Sequence, residues 1–121
     1  MTRRRFERIV EEVLQVLPPE FRRALENVQV VVDDWPTPEQ VRSVGLGEDD
    51  LLFGLYEGTP LPERGVDPPL LPDRITVFMG PLLAACQTEA ELREEIRRTV
   101  LHELAHYFGF GEEDIAELGY G

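Results

Sequence analysis

The sequence predicts one compact domain made of helices and a small β-sheet. At 121 residues, the chain is long enough for a single domain with its own core and too short for two domains of ordinary size. Apolar residues recur at helical spacing near the N-terminus and again after residue 88, while short β-branched segments lie between them. We therefore expect a single domain over residues 1–121, with helices at both ends and about three strands between them.

Two helices are expected before the first strand. Apolar residues follow helical spacing from Thr2 to Val16, and the sequence LPP ends this helix before a short second helix that extends through Leu25. Three later segments are rich in residues that favour strands, or alternate as strands do. These predicted strands are VQVVVDD (28–34), LLFGLYEG (51–58) and RITVFMG (74–80).

A long surface loop is expected between the last two strands. The segment from Gly58 to Asp73 is too rich in proline and glycine for a helix or a central strand. Thr88 then begins a long helix, because Thr88 and Glu91 have the spacing of a capping box and an apolar stripe continues toward Gly109. The sequence HELAH lies at the end of this predicted helix.

The composition argues against several classes of function. A formal charge of −12 disfavours sequence-independent binding to DNA or RNA, whose phosphates require a positive surface. No apolar run approaches the ~20 residues of a membrane helix. Glu7, Glu11 and Glu12 interrupt the N-terminal segment, which argues against a signal peptide. Cys86 is the only cysteine, so no disulfide can form within the chain. We expect a cytoplasmic monomer without nucleic acid or membrane partners.

His102 and His106 are the only two histidines, and they lie four residues apart. Positions i and i+4 of a helix share one face about one turn apart, so both imidazoles can point to the same metal ion. Glu103 lies near the same edge of the helix, where its carboxylate can accept a proton from water. The pattern H-E-x-x-H therefore predicts a Zn²⁺ site, with Glu103 as the catalytic base.

A third protein ligand is expected after the histidine pair, because a catalytic zinc site has three protein ligands and leaves a fourth position for water. Gly109 permits the left-handed backbone conformation that ends a helix and turns the chain back. Glu112 follows three residues later, so the run reads H-E-x-x-H-x-x-G-x-x-E, and Glu112 is the predicted ligand. Other nearby carboxylates leave alternatives open: Glu113, Asp114 and Glu117.

This run resembles the elongated zinc motif of the metzincin peptidases, with an acidic residue where most members have a third histidine. The whole chain resembles the minimal zincins, a family of small bacterial proteins classed as zinc metallopeptidases. The segments GLYEGTPLPERG (54–65), LPDRITVF (71–78) and ELGY (117–120) are also similar to the pattern of that family. The resemblance implies a compact α+β, zincin-like fold in which a small sheet packs with N-terminal helices and a long zinc-binding helix. It also implies zinc on His102 and His106, an acidic third ligand at Glu112, and Glu103 as the base.

The sequence also departs from the metzincin pattern. Metzincins have a methionine turn downstream of the zinc motif, whereas Met1 and Met79 both precede it here. Only a short segment follows His106, which leaves little chain to form the wall of a substrate cleft. These departures concern the peptidase activity more than the binding of zinc.

Metal-assisted hydrolysis of peptide bonds is the predicted activity, with peptides or proteins as substrates. Zinc polarises the carbonyl group and activates water, while Glu103 passes the proton of that water to the leaving amine. Tyr120 is a candidate oxyanion donor, whereas Tyr107 is expected to pack in the core. An extended substrate would pair with an exposed strand edge. Two alternatives remain open: a non-catalytic, zinc-stabilised binding module, and a protein without metal whose two histidines are polar residues on a helix face.

Overall fold

A mixed three-stranded sheet packs with helices in the computed structural model, which describes residues 1–46, 50–63 and 72–117. The strands are β1 (Val28–Asp33), β2 (Gly54–Glu57) and β3 (Asp73–Phe78). Their order in the sheet is β1-β3-β2. The central strand β3 pairs with β1 in the parallel direction and with β2 in the antiparallel direction. The strand β2 therefore lies at an edge of this sheet.

The helices confirm the predicted α+β class. The α-helices of the described part of the chain are α1 (Arg3–Gln15), α2 (Pro19–Ala24), α3 (Pro38–Ser43), α4 (Met79–Ala85), α5 (Glu89–Tyr107) and α6 (Glu112–Glu117). Both predicted N-terminal helices and the predicted long helix are present. None of the helices in the described ranges is long and apolar enough to cross a membrane.

The hydrophobic core lies between α1, α5 and one face of the sheet. The helix α1 contributes Phe6, Ile9, Val10 and Val13, all of which are buried. The sheet contributes apolar residues of its central strand to the same cluster. The apolar stripe predicted for α5 is buried as well: Leu92, Ile96, Val100 and Leu104. This packing fixes α5 against the sheet, so the opposite side of the helix can carry functional groups.

The N-terminus of α5 has the hydrogen bonds of a helix cap. The Thr88 hydroxyl accepts a hydrogen bond of 3.1 Å from the Glu91 N–H, as the predicted capping box requires. The Glu91 carboxylate, however, accepts from the N–H of Gln87 at 2.9 Å, one residue before the expected donor. The first bond satisfies an N–H group that the first turn of a helix leaves without a partner, and the second ties the residue before the cap to the same turn.

The predicted strand at 74–80 is wrong at its C-terminal end. The strand stops at Phe78, and Met79 begins the helix α4. The neighbouring strand β1 ends at Asp33, opposite Phe78, and Pro81 fits the first turn of the helix that follows. The buried side chain of Leu82 then packs in the core.

Besides α4, two short helices and one short 3₁₀ helix are not predicted by the sequence. The helix α3 has a full capping box, in which Thr37 and Gln40 exchange hydrogen bonds of 3.1 and 2.9 Å. The helix α6 follows directly after Gly111. In the predicted loop from Gly58 to Asp73, a 3₁₀ helix spans Leu61–Glu63. Residues 64–71 of that loop lie outside the described residues.

We predict that two valines near the end of α1 differ strongly in their contribution to stability. Val13 is 5% exposed and Val16 is 78% exposed. Val13→Ala should lower the free energy of unfolding by about 1 to 2 kcal/mol, because it removes buried methyl groups and leaves a cavity, offset in part by the better helix propensity of alanine. Val16→Ala is the matched control and should change it by less than about 0.5 kcal/mol. Urea unfolding measures both, and equal losses would contradict the described packing of α1.

Candidate metal centre

His102 and His106 lie on one face of the last turns of α5. Their ring centroids are 5.0 Å apart, and their side chains are 24% and 28% exposed. Unbroken helical backbone between the two residues produces this arrangement, as the spacing of four predicts. Both imidazoles face a cleft while the other side of α5 is held in the core.

A tight turn after α5 brings Glu112 to the two histidines. Gly109 has a φ of +95°, a left-handed conformation that favours glycine. The Gly109 N–H donates to the His106 carbonyl at 2.9 Å, and the Phe110 N–H donates to the Ala105 carbonyl at 3.0 Å. These two bonds form a Schellman motif, which ends α5 and reverses the chain. The position of Gly109 in the sequence predicts this turn, and the helix α6, which the sequence does not predict, begins at Glu112.

The Glu112 carboxylate contacts both imidazoles. Its Oε1 atom lies 2.8 Å from Nε2 of His106 and 3.3 Å from Nε2 of His102, and its Oε2 atom lies 3.2 Å from the latter. Partial burial acts to raise the pKa of Glu112, but the two nearby imidazoles outweigh this effect and hold the pKa below its ordinary value. The carboxylate is therefore held in its charged form beside two nitrogen donors.

The geometry of this group fits a tetrahedral metal ion. The three candidate ligand atoms of His102, His106 and Glu112 all lie within 4.8 Å of one another. Zinc bonds of about 2.0 to 2.2 Å in tetrahedral geometry place neighbouring ligand atoms about 3.3 to 3.5 Å apart. The distances from Glu112 to His102, 3.2 and 3.3 Å, are close to this range, and the 2.8 Å from Glu112 to His106 is shorter. Two imidazoles and one carboxylate are also a ligand set that zinc accepts in catalytic sites.

The other carboxylates considered as third ligands do not lie with His102, His106 and Glu112 in the described part of the chain. Glu113 and Glu117 are exposed, and neither belongs to the set of ligand atoms that lie close together. Asp114 has a different contact, because its Oδ2 atom accepts a hydrogen bond of 3.3 Å from the Gly111 N–H at the start of α6. The arrangement therefore favours Glu112 among the carboxylates considered from the sequence.

Glu103 lies beside the histidine group and is mostly buried, with 8% of the residue exposed. Its Oε1 atom accepts a hydrogen bond of 2.8 Å from the Tyr56 N–H, and its Oε2 atom lies 3.9 Å from Nε2 of His102. Burial raises the pKa of Glu103 above its ordinary value, although the Tyr56 N–H and both histidines act in the opposite direction. One oxygen is thus fixed by β2 and the other faces the histidine side.

Gly54 allows β2 to approach α5 closely enough for that hydrogen bond. A Cβ atom at this position would lie 2.5 Å from Cγ2 of Thr99 and 3.1 Å from the Thr76 carbonyl oxygen. The first distance is too short for a real Cβ atom, and the second is tighter than most Cβ contacts. The sequence pattern places Gly54 in a predicted strand and predicts no role for it. A glycine inside a strand is a signal of close backbone approach that was available in the sequence.

Tyr56 and Asp73 are further site residues that sequence reasoning missed. The Tyr56 hydroxyl donates a hydrogen bond of 2.6 Å to Oδ1 of Asp73, a carboxylate that is 4% exposed. The Tyr56 ring also contacts the ring of Tyr107 edge-on, with centroids 6.0 Å apart. Tyr107 is buried and packs in the core, as expected. Tyr120, the other phenol considered, lies outside the described residues.

A cleft of about 970 Å³ lies along this group. The histidines, Glu103 and the strand β2 line this cleft. It is also lined by residues of three further segments: Ser43, Val44 and Leu46 at the end of α3, Pro60, Pro62 and Glu63, and the residues from Gly109 to Glu112. Although the segment after His106 is short, it therefore does contribute to the wall of a cleft.

A helix that carries H-E-x-x-H beside an edge strand is the arrangement of metal-dependent peptidases. A family model described as zincin-like metallopeptidase matches residues 25–121, and the chain belongs to this family. This match confirms the zincin-like resemblance. The fold is also similar to the solved structure of a conserved hypothetical protein from T. thermophilus, with a TM-score of 0.58 and 28% sequence identity. That similarity covers 97% of this chain and 99% of the other. No curated protein matches the chain.

We predict that Gly54→Ala lowers the free energy of unfolding by about 1 to 3 kcal/mol, the usual cost of an overpacked site. The added methyl group would collide first with Cγ2 of Thr99. Thr99→Ser removes that methyl group, so the double variant should recover part of the loss, while the Thr76 carbonyl at 3.1 Å should keep the recovery incomplete. Urea unfolding of the single and double variants measures this coupling. Strictly additive losses would contradict the described approach of β2 to α5.

Proposed function

We propose that the chain is a zinc-dependent peptidase, in which His102, His106 and Glu112 hold the ion and Glu103 is the general base. The family to which the chain belongs supports a peptidase. The distances within the histidine–glutamate group support a metal ion there. The contact between Glu103 and β2 supports the role of the base, because it orients the carboxylate toward the histidine side.

The position of Glu103 is the observation that carries this proposal. A metal site that only stabilises a fold has no use for a buried carboxylate beside the ligands that is not itself a ligand. Burying a carboxylate opposes its charged form, so this placement works against stability. The hydrogen bond from Tyr56 offsets that cost in part and keeps one oxygen of Glu103 free for a proton. The arrangement favours a catalytic group over a structural one.

In the proposed hydrolysis of a peptide bond, the metal ion and Glu103 have different roles. When bound, zinc supplies a Lewis acid that polarises a carbonyl group and makes a water molecule more acidic. Glu103 removes a proton from the attacking water as the new carbon–oxygen bond forms. Glu103 then gives this proton to the amide nitrogen as the carbon–nitrogen bond breaks. The products are a carboxylic acid and an amine, and Glu103 returns to its initial state.

The strand β2 is the surface along which we expect the substrate to bind. It lies at an edge of the sheet, and residues Gly54 to Glu57 line the cleft. An extended peptide can add to such an edge through backbone hydrogen bonds. The Tyr56 N–H already donates to Glu103, so it is not available to a peptide. We expect the peptide to pair with backbone groups on either side of Tyr56.

We predict that the purified chain binds about one zinc ion and loses it to a chelator. Glu112→Gln should weaken zinc affinity by more than about tenfold, since changes to outer-shell partners alone often cost that much. Glu113→Gln is the matched control and should keep full affinity. Acid should release the metal, because imidazole must be neutral to bind it. Elemental analysis and thermal shift with added zinc measure these effects, and an unchanged Glu112→Gln affinity would remove Glu112 from the ligand set.

We predict that Glu103→Gln lowers peptide hydrolysis by about 10² to 10⁴ while the zinc content stays unchanged. The amide keeps the size of the side chain and can still accept the Tyr56 hydrogen bond, but it cannot take up the proton. Glu113→Gln serves again as the control with full activity. If zinc-loaded wild type cleaves no member of a broad peptide library, the proposal of catalysis fails and the non-catalytic zinc module becomes the better hypothesis.

A further inference from the structure

Asp73 is a buried carboxylate to which the proposed reaction assigns no role. It begins the central strand β3, and its Oδ1 atom accepts a hydrogen bond of 2.6 Å from the Tyr56 hydroxyl. A distance this short is typical of a hydrogen bond from a hydroxyl group to a charged oxygen. Burying a carboxylate costs free energy unless hydrogen bonds compensate for the lost water. The bond from Tyr56 is therefore a strong contact of a group that is costly to bury.

The chain leaves space for this contact at Gly58. Continuing the register of β2 and β3 by one residue places Gly58 opposite Asp73. A Cβ atom on Gly58 would lie 2.3 Å from Oδ1 of Asp73 and 2.9 Å from the hydroxyl oxygen of Tyr56. A side chain at this position would occupy the space in which the carboxylate and the hydroxyl meet. The backbone of β2 thus approaches β3 closely at the point where the two side chains bind each other.

The same hydrogen bond anchors a residue whose backbone holds the proposed base. The Tyr56 ring packs edge-on against Tyr107 of α5, with centroids 6.0 Å apart, while its hydroxyl is bound to Asp73 of β3. The Tyr56 N–H donates to Oε1 of Glu103 at 2.8 Å. A displacement of the Tyr56 side chain is therefore transmitted to the hydrogen bond that orients Glu103.

The pairing of β2 with β3 does not by itself hold this N–H. The Phe78 N–H donates to the Phe53 carbonyl at 2.9 Å, and in an antiparallel pair every second residue exchanges such bonds with the partner strand. The backbone groups of Tyr56, three residues after Phe53, are therefore directed away from β3, as the bond to Glu103 requires. The contacts of the Tyr56 side chain supply the support that the ladder does not give at this position.

We propose that Asp73 is a positioning residue for the proposed reaction: through the Tyr56 hydroxyl, it holds the backbone N–H that orients the Glu103 carboxylate. The inference rests on the proposed function, in which Glu103 is the general base. A catalytic group that is misplaced by about 1 Å can lower a rate by about 10²-fold. The loss of one anchor of Tyr56 should thus reduce catalysis while the metal ligands stay unchanged.

Kinetics of the full-length, zinc-loaded protein test this role. Tyr56→Phe removes the hydroxyl and keeps the ring, and Asp73→Ala removes the acceptor. Each should lower kcat about tenfold and leave KM within about twofold, because an interaction that orients the base acts on the chemical step. Asp73→Asn keeps an oxygen that accepts the hydroxyl hydrogen bond, so it should retain most of kcat. Val13→Ala is the control for a loss of stability alone and should keep the wild-type kcat.

Amide hydrogen exchange, followed by NMR in the same zinc-loaded variants, tests the positioning without any need for cleavage. The exchange rate of the residue 56 N–H is divided by that of the amides of β3, so that global unfolding cancels. This ratio should rise about tenfold in Tyr56→Phe and in Asp73→Ala, as expected when a hydrogen bond to a charged group is weakened. Glu103→Ala removes the acceptor and gives the ratio for a broken bond. Val13→Ala should leave the ratio unchanged.

The exchange ratio and kcat together decide between the outcomes. The proposal is overturned if either Tyr56→Phe or Glu103→Ala leaves the ratio at its wild-type value, because the N–H is then not held as described. It is also overturned if Tyr56→Phe raises the ratio but an active enzyme keeps its kcat. If the ratio rises in both variants while wild type cleaves no peptide, the positioning of Glu103 by Asp73 is supported and only the proposed catalysis fails.

Discussion

The approach of β2 to α5 is the constraint on which the rest of the site depends. Gly54 lets the strand come within contact of Thr99, and this proximity allows the Tyr56 N–H to reach the Glu103 carboxylate. The same strand is the edge of the sheet that faces the cleft. One local contact therefore fixes both the orientation of the proposed base and the surface along which a substrate would lie.

Tyr56 joins this contact to the interior of the protein. Its hydroxyl donates to the buried Asp73 carboxylate, and its ring packs against Tyr107, the residue that follows His106. The position of the Tyr56 backbone N–H is thus fixed by the pairing of β2, by the contacts of the side chain with Asp73 and Tyr107, and by the hydrogen bond to Glu103 of α5. Such support fixes the geometry of a site more precisely than a loop does, because each neighbour is itself held by packing.

The sequence predicts the helix that carries the site better than it predicts the surroundings. The spacing of His102 and His106 and the position of Gly109 depend on local helix geometry, which a short sequence window contains. The α+β class, the three strands and both N-terminal helices follow from periodicity and from residue types within short windows. The contact of Gly54 with α5 joins residues distant in sequence, so periodicity does not reveal it. The predicted end of β3 is too late, because the strand ends where its neighbour β1 ends, opposite Asp33, and this pairing is not contained in the hydrophobic pattern.

The three proposed ligands lie on two elements, the long packed helix α5 and the short helix α6. His102 and His106 belong to a helix whose other side is held in the core, so their positions are set before any metal binds. Glu112 is 69% exposed in its side chain, and it begins a six-residue helix that follows the turn at Gly109. The buried side chain of Ile115 anchors that helix to the protein. Metal binding would then chiefly stabilise the docked position of α6, which completes the ligand set. The same docking would position Phe110 and Gly111 along the wall of the cleft.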